Sequence, residues 1–299
     1  MGGFPFLAYA VTSLHVGVGR SGAIVDLPIQ RDPMGFPMVF SSSFKGALKQ
    51  FCALKLGAAI DDKSGRINCS NEKSRVCCCL LGGESEASEA ASLLSISDLY
   101  PLAIPVPSLD KGYIYLTSKY LVETITDLFQ AVGYEDGVKW LRSLLDGLSK
   151  PAGEATVGID LRVPLIKPSQ SNLLNTLMSL GLMAGKLAEG IAVEVDDAKA
   201  IVEIERGIVK YTRNRIDYRT GTVMQGALWT EEYLPHGTIL AGVMFFNVPR
   251  RNKHCGDSMC DEGCAMKMFN AFMSSNEFYL NVGGKETIGR GIVKVKLLR

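Results

Sequence analysis

The sequence predicts an α+β fold, because strand-like stretches at both ends of the chain enclose a largely helical middle. Residues 4–16 alternate loosely between apolar and other side chains and lead into a glycine-rich bend. Residues 292–297 alternate valine and leucine with lysine, as expected for a strand with one buried face. Residues 138–148 instead repeat valine and leucine at the spacing of one helix face.

The composition is typical of a globular protein. The chain has 299 residues, of which 47% are hydrophobic, and a formal net charge of +1. It can therefore bury one large core or two modest ones. The apolar start lacks the basic residues of a signal peptide, and the most apolar later stretch, residues 173–195, is interrupted by charged side chains. We expect a cytoplasmic protein without membrane contact.

Three segments differ from their surroundings. Residues 61–99 are rich in cysteine, serine and glycine and are interpreted as an insertion or long loop. Residues 126–190 are interpreted as a helical insertion, whose last helix lies between Pro168 and Gly190. Residues 249–265 are interpreted as a cysteine-rich loop.

The chain contains eight cysteines. In a cytosolic chain we expect thiols or metal ligands rather than disulfides, although proteins of hyperthermophiles are an exception. Cys255, Cys260 and Cys264 suggest a zinc site that one of the cysteines in 69–79 could complete. Their spacing is irregular for zinc, which usually takes closely spaced pairs, so buried thiols or a disulfide are the favoured alternative.

The most informative stretch runs from residue 12 to residue 49. It begins with His15 and the glycine-rich bend that contains Gly17, Gly19 and Arg20. Glycines at the end of a strand let the backbone pass close to another group. For His15, a structural role satisfied by backbone hydrogen bonds remains an alternative to a catalytic one.

Two aspartates follow on a segment that prolines keep out of a helix. Pro28 and Pro33 lie within this segment, residues 23–38, so Asp26 and Asp32 are expected on an exposed loop. Judged from the residues alone, Asp26 caps its own turn before Pro28, as Asp commonly does, and Asp32 is expected to belong to turn structure.

The next segment predicts a helix that begins at a run of serines. Ser41, Ser42 and Ser43 are expected to supply the N-cap, and Lys45 and Lys49 lie one turn apart on one face. A helix start with free backbone N–H groups and two lysines is a suitable phosphate seat. An ordinary amphipathic helix with solvated lysines is the alternative.

Residues 206–235 predict a β-hairpin that turns at Thr220 and Gly221. Cationic and aromatic side chains interleave along its first strand, where Lys210, Arg213 and Arg215 are the expected nucleic-acid contacts. A hairpin with solvated arginines is the alternative.

A second glycine-rich loop precedes the last strand. Gly283, Gly284, Lys285 and Arg290 would allow the backbone to lie against a phosphate chain. The loop matches neither the P-loop nor the dinucleotide-binding pattern, so it is weak support for a nucleotide site by itself.

Five motifs occur together in one order: HVG at the first strand end, VDLPIQRD, SSSFKGALK, RIDYRTGTV with GALWTEEYLP, and GGKETIGRG. This combination, spread over residues 11–295, resembles the RAMP superfamily of CRISPR proteins. It is most similar to the repeated, Cas7-like backbone subunit of type III-B (Cmr) effector complexes.

The resemblance implies a single domain with a modified ferredoxin-like (RRM-like) palm. The palm would comprise residues 1–60, 100–125 and 190–299, with residues 206–235 protruding as a thumb hairpin. It also implies copies stacked in a helical filament along one crRNA, with target single-stranded RNA and other Cmr-type subunits as partners.

The resemblance also implies site residues. The family's cleavage aspartate falls on Asp26, and His15, Glu231 and Tyr233 match further residues near that site. Ser43, Lys45 and Lys49 correspond to the contact with the guide backbone.

The implied activity is an endoribonuclease in which the RNA 2′-hydroxyl attacks the phosphorus and leaves a 2′,3′-cyclic phosphate. Asp26 is expected either to bind a divalent cation, Mg²⁺ or Mn²⁺, or to accept the hydroxyl proton. One alternative is a filament subunit that only holds guide and target. Another, disfavoured because such proteins act as single copies, is a nuclease that processes CRISPR precursor transcripts.

Overall fold

The fold combines one large mixed sheet with helices and a separate hairpin. The computed structural model describes residues 2–21, 24–83, 91–182, 188–248, 254–255, 260–273 and 275–299. Its strands are β1 (Gly3–Ala10), β2 (Leu94–Ile96), β3 (Tyr100–Ser108), β4 (Gly112–Ser118), β5 (Gly153–Val157), β6 (Leu161–Ile166), β7 (Ile191–Glu194), β8 (Val209–Ile216), β9 (Val223–Tyr233), β10 (Ile239–Phe246), β11 (Glu277–Asn281) and β12 (Ile292–Leu297). Its helices are α1 (Ser41–Leu56), α2 (Glu72–Leu81), α3 (Lys119–Ala131), α4 (Glu135–Asp146), α5 (Asn172–Ser179), α6 (Asp197–Gly207) and α7 (Glu262–Phe272). The α+β class predicted from the sequence is confirmed.

The large sheet brings the two ends of the chain together. Its strand order is β11-β12-β1-β10-β3-β4-β7-β6-β5, and β2 pairs with β10. The first strand lies between β10 and the last strand, so that Phe6 pairs with Gly242 on one side and with Leu297 on the other. Among the described strands, β4 and β7 pair in parallel and the other neighbours are antiparallel.

Helices cover both faces of this sheet. Along β1, Phe6 and its i±2 neighbours join the core under α1, α2 and α7, whereas Leu7 joins the core under α3, α4 and α5. The Phe6 ring stacks on Phe44 of α1 at a centroid distance of 4.9 Å. Because successive strand residues point to opposite faces, a central strand between two helical layers needs apolar residues at nearly every position.

The start of α1 differs from the prediction. Ser41 is the first helical residue, Phe40 occupies the cap position, and no side chain of the predicted serine run caps the helix. The Ser41 N–H instead donates to the Asp98 carboxylate at 2.6 Å. The serine cap prediction is therefore wrong, since a carboxylate far along the chain supplies the acceptor that the first turn requires.

The segment 126–190 is not purely helical. It contains α4 and α5 but also the β5–β6 hairpin, which extends the large sheet past β7. The last helix is shorter than the predicted span of 168–190, because α5 ends at Ser179, and the predicted stripe residues Ala184 and Leu187 lie outside the described residues. The insertion predicted over 61–99 likewise contains α2 and β2.

All eight cysteines are paired in disulfides. The pairs are Cys52–Cys77, Cys69–Cys78, Cys79–Cys255 and Cys260–Cys264. Consecutive helical residues point about 100° apart, so the three neighbouring cysteines of α2 reach three different partners. The expectation of thiols or metal ligands is therefore wrong, and the zinc site suggested for residues 255–264 lacks the thiolates it would need.

The hairpin of β8 and β9 forms its own two-stranded sheet within the predicted span of 206–235. Its turn contains Gly221 at a φ of 69°, a conformation that glycine adopts without strain. Much of the hairpin is exposed, but its last residues, 231–233, are buried at the point where it joins the rest of the chain. None of the helices described here is long and apolar enough to cross a bilayer.

Candidate RNA interface and active site

The buried base of the hairpin separates two clusters of polar side chains. Along β9, Trp229, Glu231 and Tyr233 point to one face, and Thr230 and Glu232 point to the other. We call the groups on these two faces the Glu231 cluster and the Glu232 cluster.

Glu231 is a fully buried carboxylate that three side chains satisfy. Lys285 donates to it at 2.5 Å and the Trp229 indole at 2.6 Å, and the Tyr233 hydroxyl also donates to it. Burial alone would raise the pKa of Glu231, but these hydrogen bonds outweigh burial and lower the pKa to about 2. Glu231 is therefore ionised and paired at neutral pH, and its oxygens face the protein rather than solvent.

Aromatic rings and a guanidinium continue the Glu231 cluster. Tyr233 is fully buried and lies 5.5 Å from Tyr211 and 5.3 Å from His15, measured between ring centroids. Arg290 lies 5.3 Å from the Tyr211 ring and 5.4 Å from the Tyr233 ring, within the range of a cation–π contact. Burial and the adjacent Glu231 carboxylate raise the pKa of Tyr233 to about 12.

The Glu232 cluster ties the 24–32 loop to the hairpin and to α6. The Glu232 carboxylate accepts from the Ile29 N–H at 3.2 Å and from Arg31 at 3.0 Å. Arg31 also contacts Glu205 at 2.8 Å, and Lys210 contacts Glu205 at 2.6 Å. Lys210, predicted as an RNA contact, therefore belongs to an ion-pair network at the hairpin base.

Asp26 lies on the same side of β9 as Thr230. Its carboxylate accepts the Thr230 N–H at 2.8 Å and the Thr230 hydroxyl at 3.0 Å. These hydrogen bonds, the backbone one first, lower the pKa of Asp26. The aspartate is thus held as an anion at the edge of the hairpin, and it does not cap its own turn. Asp32 does so, since it accepts the N–H groups of Met34 and Phe36.

His15 is buried and oriented by one hydrogen bond. Its Nδ1 lies 2.8 Å from the carbonyl oxygen of Glu232, so Nδ1 must donate. In the neutral ring, Nε2 is then the acceptor, and it lies 2.8 Å from the position that a Cβ on Gly17 would occupy. Glycine at position 17 therefore leaves room beside Nε2, which any side chain there would fill.

The second glycine-rich loop packs on this strand end instead of lying free. The Gly284 N–H donates to the His15 carbonyl at 2.9 Å, and Gly283 approaches the same oxygen so closely that a Cβ would clash. Lys285 adopts a φ of 71°, which is rare for a residue with a side chain, and pairs with Glu231. Two of the expected phosphate-binding groups, Gly284 and Lys285, are thus engaged within the protein.

The predicted phosphate seat on α1 is partly buried. Lys45 donates to the Ser92 hydroxyl at 2.6 Å, and burial together with the charge of Lys49 lowers the pKa of Lys45. Gln30 donates to Ser43 at 2.9 Å and, through the same amide nitrogen, to the Gly17 carbonyl at 3.5 Å. This amide links the α1 start to the glycine-rich bend.

The remaining predicted RNA contacts lie on the surface or near it. Gly19, Arg20, Ser42 and Arg215 are exposed. Arg213 is partly exposed and lies 3.9 Å from the Glu231 carboxylate.

A comparison with protein families covers the part of the chain that contains both clusters. A family model described as the RAMP superfamily matches residues 8–294 of the chain. The chain belongs to the RAMP superfamily. The resemblance inferred from five motifs is confirmed at this level, and the match includes both clusters at the hairpin base.

Two curated relatives match this RAMP chain over nearly its whole length. The CRISPR system Cmr endoribonuclease Cmr4 of Pyrococcus furiosus is 31% identical, with 97% of the chain and 93% of the relative covered. The CRISPR system CMR subunit Cmr4 of Saccharolobus solfataricus is 27% identical, with 98% and 96% covered.

A solved structure matches the RAMP chain in three dimensions. A chain of the type III-B Cmr-beta complex bound to cognate target RNA, determined by cryo-EM, superposes with a TM-score of 0.75 at 26% identity. The match covers 99% of this chain and 97% of the other. The RAMP fold assignment thus rests on sequence and on shape.

The metal prediction can be compared with the donor sets present in the RAMP chain. Within the part of the chain that the structure describes, no three His, Cys, Asp or Glu side chains are grouped to hold a metal ion. Asp26 is a single carboxylate beside a threonine hydroxyl. Mg²⁺ commonly binds one or two carboxylates together with substrate phosphates and water, so Asp26 fits a shared site but not a complete protein cage.

Four residues that organise the site were not identified from the sequence. Thr230 holds Asp26, Gln30 links α1 to the bend, and Arg31 and Glu232 form the ion-pair network. The Asp26–Thr230 contact joins residues 204 positions apart, so no local pattern could reveal it. The only sequence signal was that Gln30 and Arg31 lie within the VDLPIQRD motif and that Thr230 and Glu232 lie within GALWTEEYLP.

Proposed function

We propose that this chain is a repeated backbone subunit of a type III-B CRISPR complex that binds crRNA and cleaves complementary target RNA. The observation that carries the proposal is that the chain is 31% identical, over 97% of its length, to a relative named as a Cmr endoribonuclease. The Cmr-beta chain with which it superposes belongs to a complex bound to cognate target RNA, which supports target RNA as the partner.

Asp26 is the proposed catalytic residue. RNA supplies its own nucleophile, the 2′-hydroxyl, so the protein has to align that group with the phosphorus and stabilise the developing charge. The hydrogen bonds from Thr230 fix the Asp26 carboxylate, and its lowered pKa makes it a weak base. The lowered pKa therefore favours an electrostatic or cation-holding role for Asp26 over proton abstraction.

A divalent cation, Mg²⁺ or Mn²⁺, is proposed at Asp26. Asp26 would hold it together with the scissile phosphate, and the ion would stabilise negative charge on the phosphate oxygens. This chain's own contribution is to keep the carboxylate ionised and oriented through Thr230. The proposed products are a 2′,3′-cyclic phosphate and a 5′-hydroxyl.

His15, Glu231 and Tyr233 are proposed to act near this site in different ways. The donated Nδ1 hydrogen fixes the His15 ring, so Nε2 could orient or exchange a proton beside Gly17. Glu231 and Tyr233 are buried and bonded to each other, which suits positioning residues that hold the hairpin base.

RNA is proposed to follow cationic and glycine-rich surfaces around the two clusters. Lys45 and Lys49 would bind guide phosphates at α1, because their like charges favour a nearby anion. The other proposed contacts are Gly17, Gly19, Arg20, Ser42, Ser43, Lys210, Arg213, Arg215, Gly283, Gly284, Lys285 and Arg290.

The finer architecture is also a proposal. We assign the large sheet to a ferredoxin-like palm and the β8–β9 hairpin to a thumb that reaches a neighbouring copy along the guide. Other Cmr-type subunits would complete the assembly. The proposed location is the cytoplasm, where structural disulfides persist mainly in hyperthermophiles.

The proposal is tested with the assembled complex. Complementary RNA labelled at its 5′ end should be cut at regular intervals when Mg²⁺ or Mn²⁺ is present, and chelation should stop the cutting. RNA that binds the complex but remains intact would support the alternative, a filament subunit that only holds guide and target.

A further inference from the structure

A cleft lined by tyrosines lies beside the hairpin base and shares Tyr211 with the Glu231 cluster. It has a volume of about 390 Å³. Tyr9, Tyr113, Tyr115 and Tyr211 contribute to its lining, with His236 at an exposed position. These residues come from β1, β4, β8 and the segment before β10, so the fold rather than a local motif creates the cleft, which we call the tyrosine cleft.

The floor and the rim of the tyrosine cleft differ in exposure. Tyr115 is 3% exposed and forms part of the floor, whereas Tyr113 and Tyr211 are each 41% exposed. Tyr113 and Tyr115 meet edge to face, with centroids 6.3 Å apart. At Gly237, φ is +89° and a Cβ would lie 3.1 Å from the Tyr115 hydroxyl, so glycine at this position keeps the floor open.

Tyr211 connects the tyrosine cleft to the Glu231 cluster. One part of its ring faces Tyr233 at 5.5 Å, and Arg290 lies 5.3 Å from it. Among the described residues that line the cleft, none is acidic. The cleft therefore combines ring faces with a nearby cation, and no lining carboxylate would repel a phosphate.

The tyrosine hydroxyls remain neutral donors and acceptors in this setting. Burial raises the pKa of Tyr115, and burial together with the nearby Tyr113 raises the pKa of Tyr9. A planar heterocycle with polar edges can stack on such rings and hydrogen-bond to their hydroxyls.

We propose that the tyrosine cleft receives one unstacked nucleobase of single-stranded RNA, with the adjoining phosphate near Arg290. This inference rests on the proposed function, because it assumes RNA as the ligand. The cleft is large enough for one base with its ribose, and aromatic stacking is the usual way in which proteins bind unpaired bases without reading their sequence.

A binding experiment isolates the base from the phosphate. The probes are a single-stranded oligouridine and an abasic ribose-phosphate chain of equal length, titrated into the purified chain and into the assembled complex. Tyr113→Ala should bind oligouridine roughly five- to tenfold more weakly than the wild type, as expected for losing one stacking partner. Both proteins should bind the abasic chain equally, and Tyr113→Phe should behave as the wild type.

A matched control is available on β11, the strand at one end of the sheet. Tyr279 on β11 is 53% exposed and does not line the cleft, so Tyr279→Ala should leave the affinity for oligouridine unchanged. Photocrosslinking with oligo(5-iodouridine) should yield adducts on the peptides that contain Tyr113 or Tyr211.

Several results would overturn the assignment. Equal oligouridine affinity for the wild type and Tyr113→Ala, or crosslinks confined to other peptides, would exclude a base in the cleft while leaving the proposed function intact. Altered self-association of Tyr113→Ala with unchanged RNA affinity would show that a second copy of the chain occupies the cleft. A wild type that binds neither probe would overturn the assignment, and a complex that also fails to bind complementary RNA would contradict the proposed function.

Discussion

At the residue scale, Glu231 is the buried charge around which the polar side chains of the hairpin base are arranged. It is the acceptor for Lys285, Trp229 and Tyr233, and its side chain has no exposed surface. A buried carboxylate is stable only when its oxygens are satisfied, so these three donors and Glu231 depend on one another.

Glu231→Gln should destabilise the chain markedly. The amide leaves Lys285 without its counter-charge, and the loss should fall toward the lower end of the roughly 3–5 kcal/mol that breaking a buried pair costs, because Lys285 is 30% exposed. Urea unfolding measures the change. Glu205→Gln is the control, since Glu205 is 39% exposed and its ion pairs with Arg31 and Lys210 are only partly buried, so each should contribute at most about 1 kcal/mol. Equal losses of unfolding free energy in the two variants would show that Glu231 contributes no more to stability than the partly exposed Glu205.

The same residue predicts how stability depends on pH. The folded pKa of Glu231 is about 2, below its ordinary value of 4.5, so its contribution is fully present above that ordinary value and is lost as the pH falls toward 2. The free energy of unfolding should therefore decrease on acidification more steeply for the wild type than for Glu231→Gln. Parallel curves for the two proteins would show that Glu231 is not the group responsible.

Individual residues of the site were predictable only where a motif contains them. Asp26 and His15 were identified through their motifs, whereas Asp26 read from local sequence alone looked like a turn cap. Its partner Thr230 lies 204 residues away. Only the fold distinguishes the two aspartates, because Asp32 accepts hydrogen bonds from its own turn and Asp26 accepts them from the hairpin.

At the element scale, α2 is the helix to which three of the four disulfides are attached. Cys77 binds α1, Cys78 binds the preceding loop and Cys79 binds Cys255, so α2 connects three parts of the chain. The arrangement stabilises the α1 side of the sheet, where Lys45 contacts Ser92.

Reduction should lower the melting temperature, whereas chelation should not. Removing Cys79–Cys255, which spans 176 residues, should cost about 2–3 kcal/mol more than removing Cys69–Cys78, which spans 9, in the chain-entropy model of disulfides. Paired cysteine-to-serine variants compared by thermal unfolding measure the difference. A melting temperature that responds to EDTA but not to reductant would instead indicate the zinc site suggested by the sequence.

Helices with regular apolar spacing were predictable, and their exact ends were not. The leucine-rich stripe of α4 predicted that helix. The start of α1 depends on Asp98, which no helical pattern reveals. The β5–β6 hairpin was missed inside a segment interpreted as helical, because its short alternating runs are weaker signals than the neighbouring leucines.

At the scale of the whole molecule, the order of strands places the site. The first strand pairs with the last, which brings the bend after β1 against the loop before β12, as the His15–Gly284 pairing shows. The sequence predicted strands at both ends but not their adjacency, since strand pairing is set by long-range packing. For this reason the bend after β1 and the loop before β12 meet at the hairpin base.

Assembly along RNA should be salt-dependent. If copies stack along a guide through lysine and arginine contacts to phosphates, RNA should promote oligomers of the chain, and rising salt should dissociate them. Mass photometry with and without single-stranded RNA measures the effect. Oligomers that form equally well without RNA and resist salt would indicate protein-driven assembly instead.

The most direct test of the account is the cleavage activity of Asp26→Asn in the assembled complex. Asparagine retains an acceptor for the Thr230 N–H but removes the charge, and Asp61→Asn, which alters an exposed aspartate that accepts from Ser64, is the matched control. We expect Asp26→Asn to abolish cleavage of complementary RNA while RNA binding persists and Asp61→Asn cuts normally. Cleavage by Asp26→Asn at the wild-type rate would contradict the assignment of Asp26 as the catalytic residue.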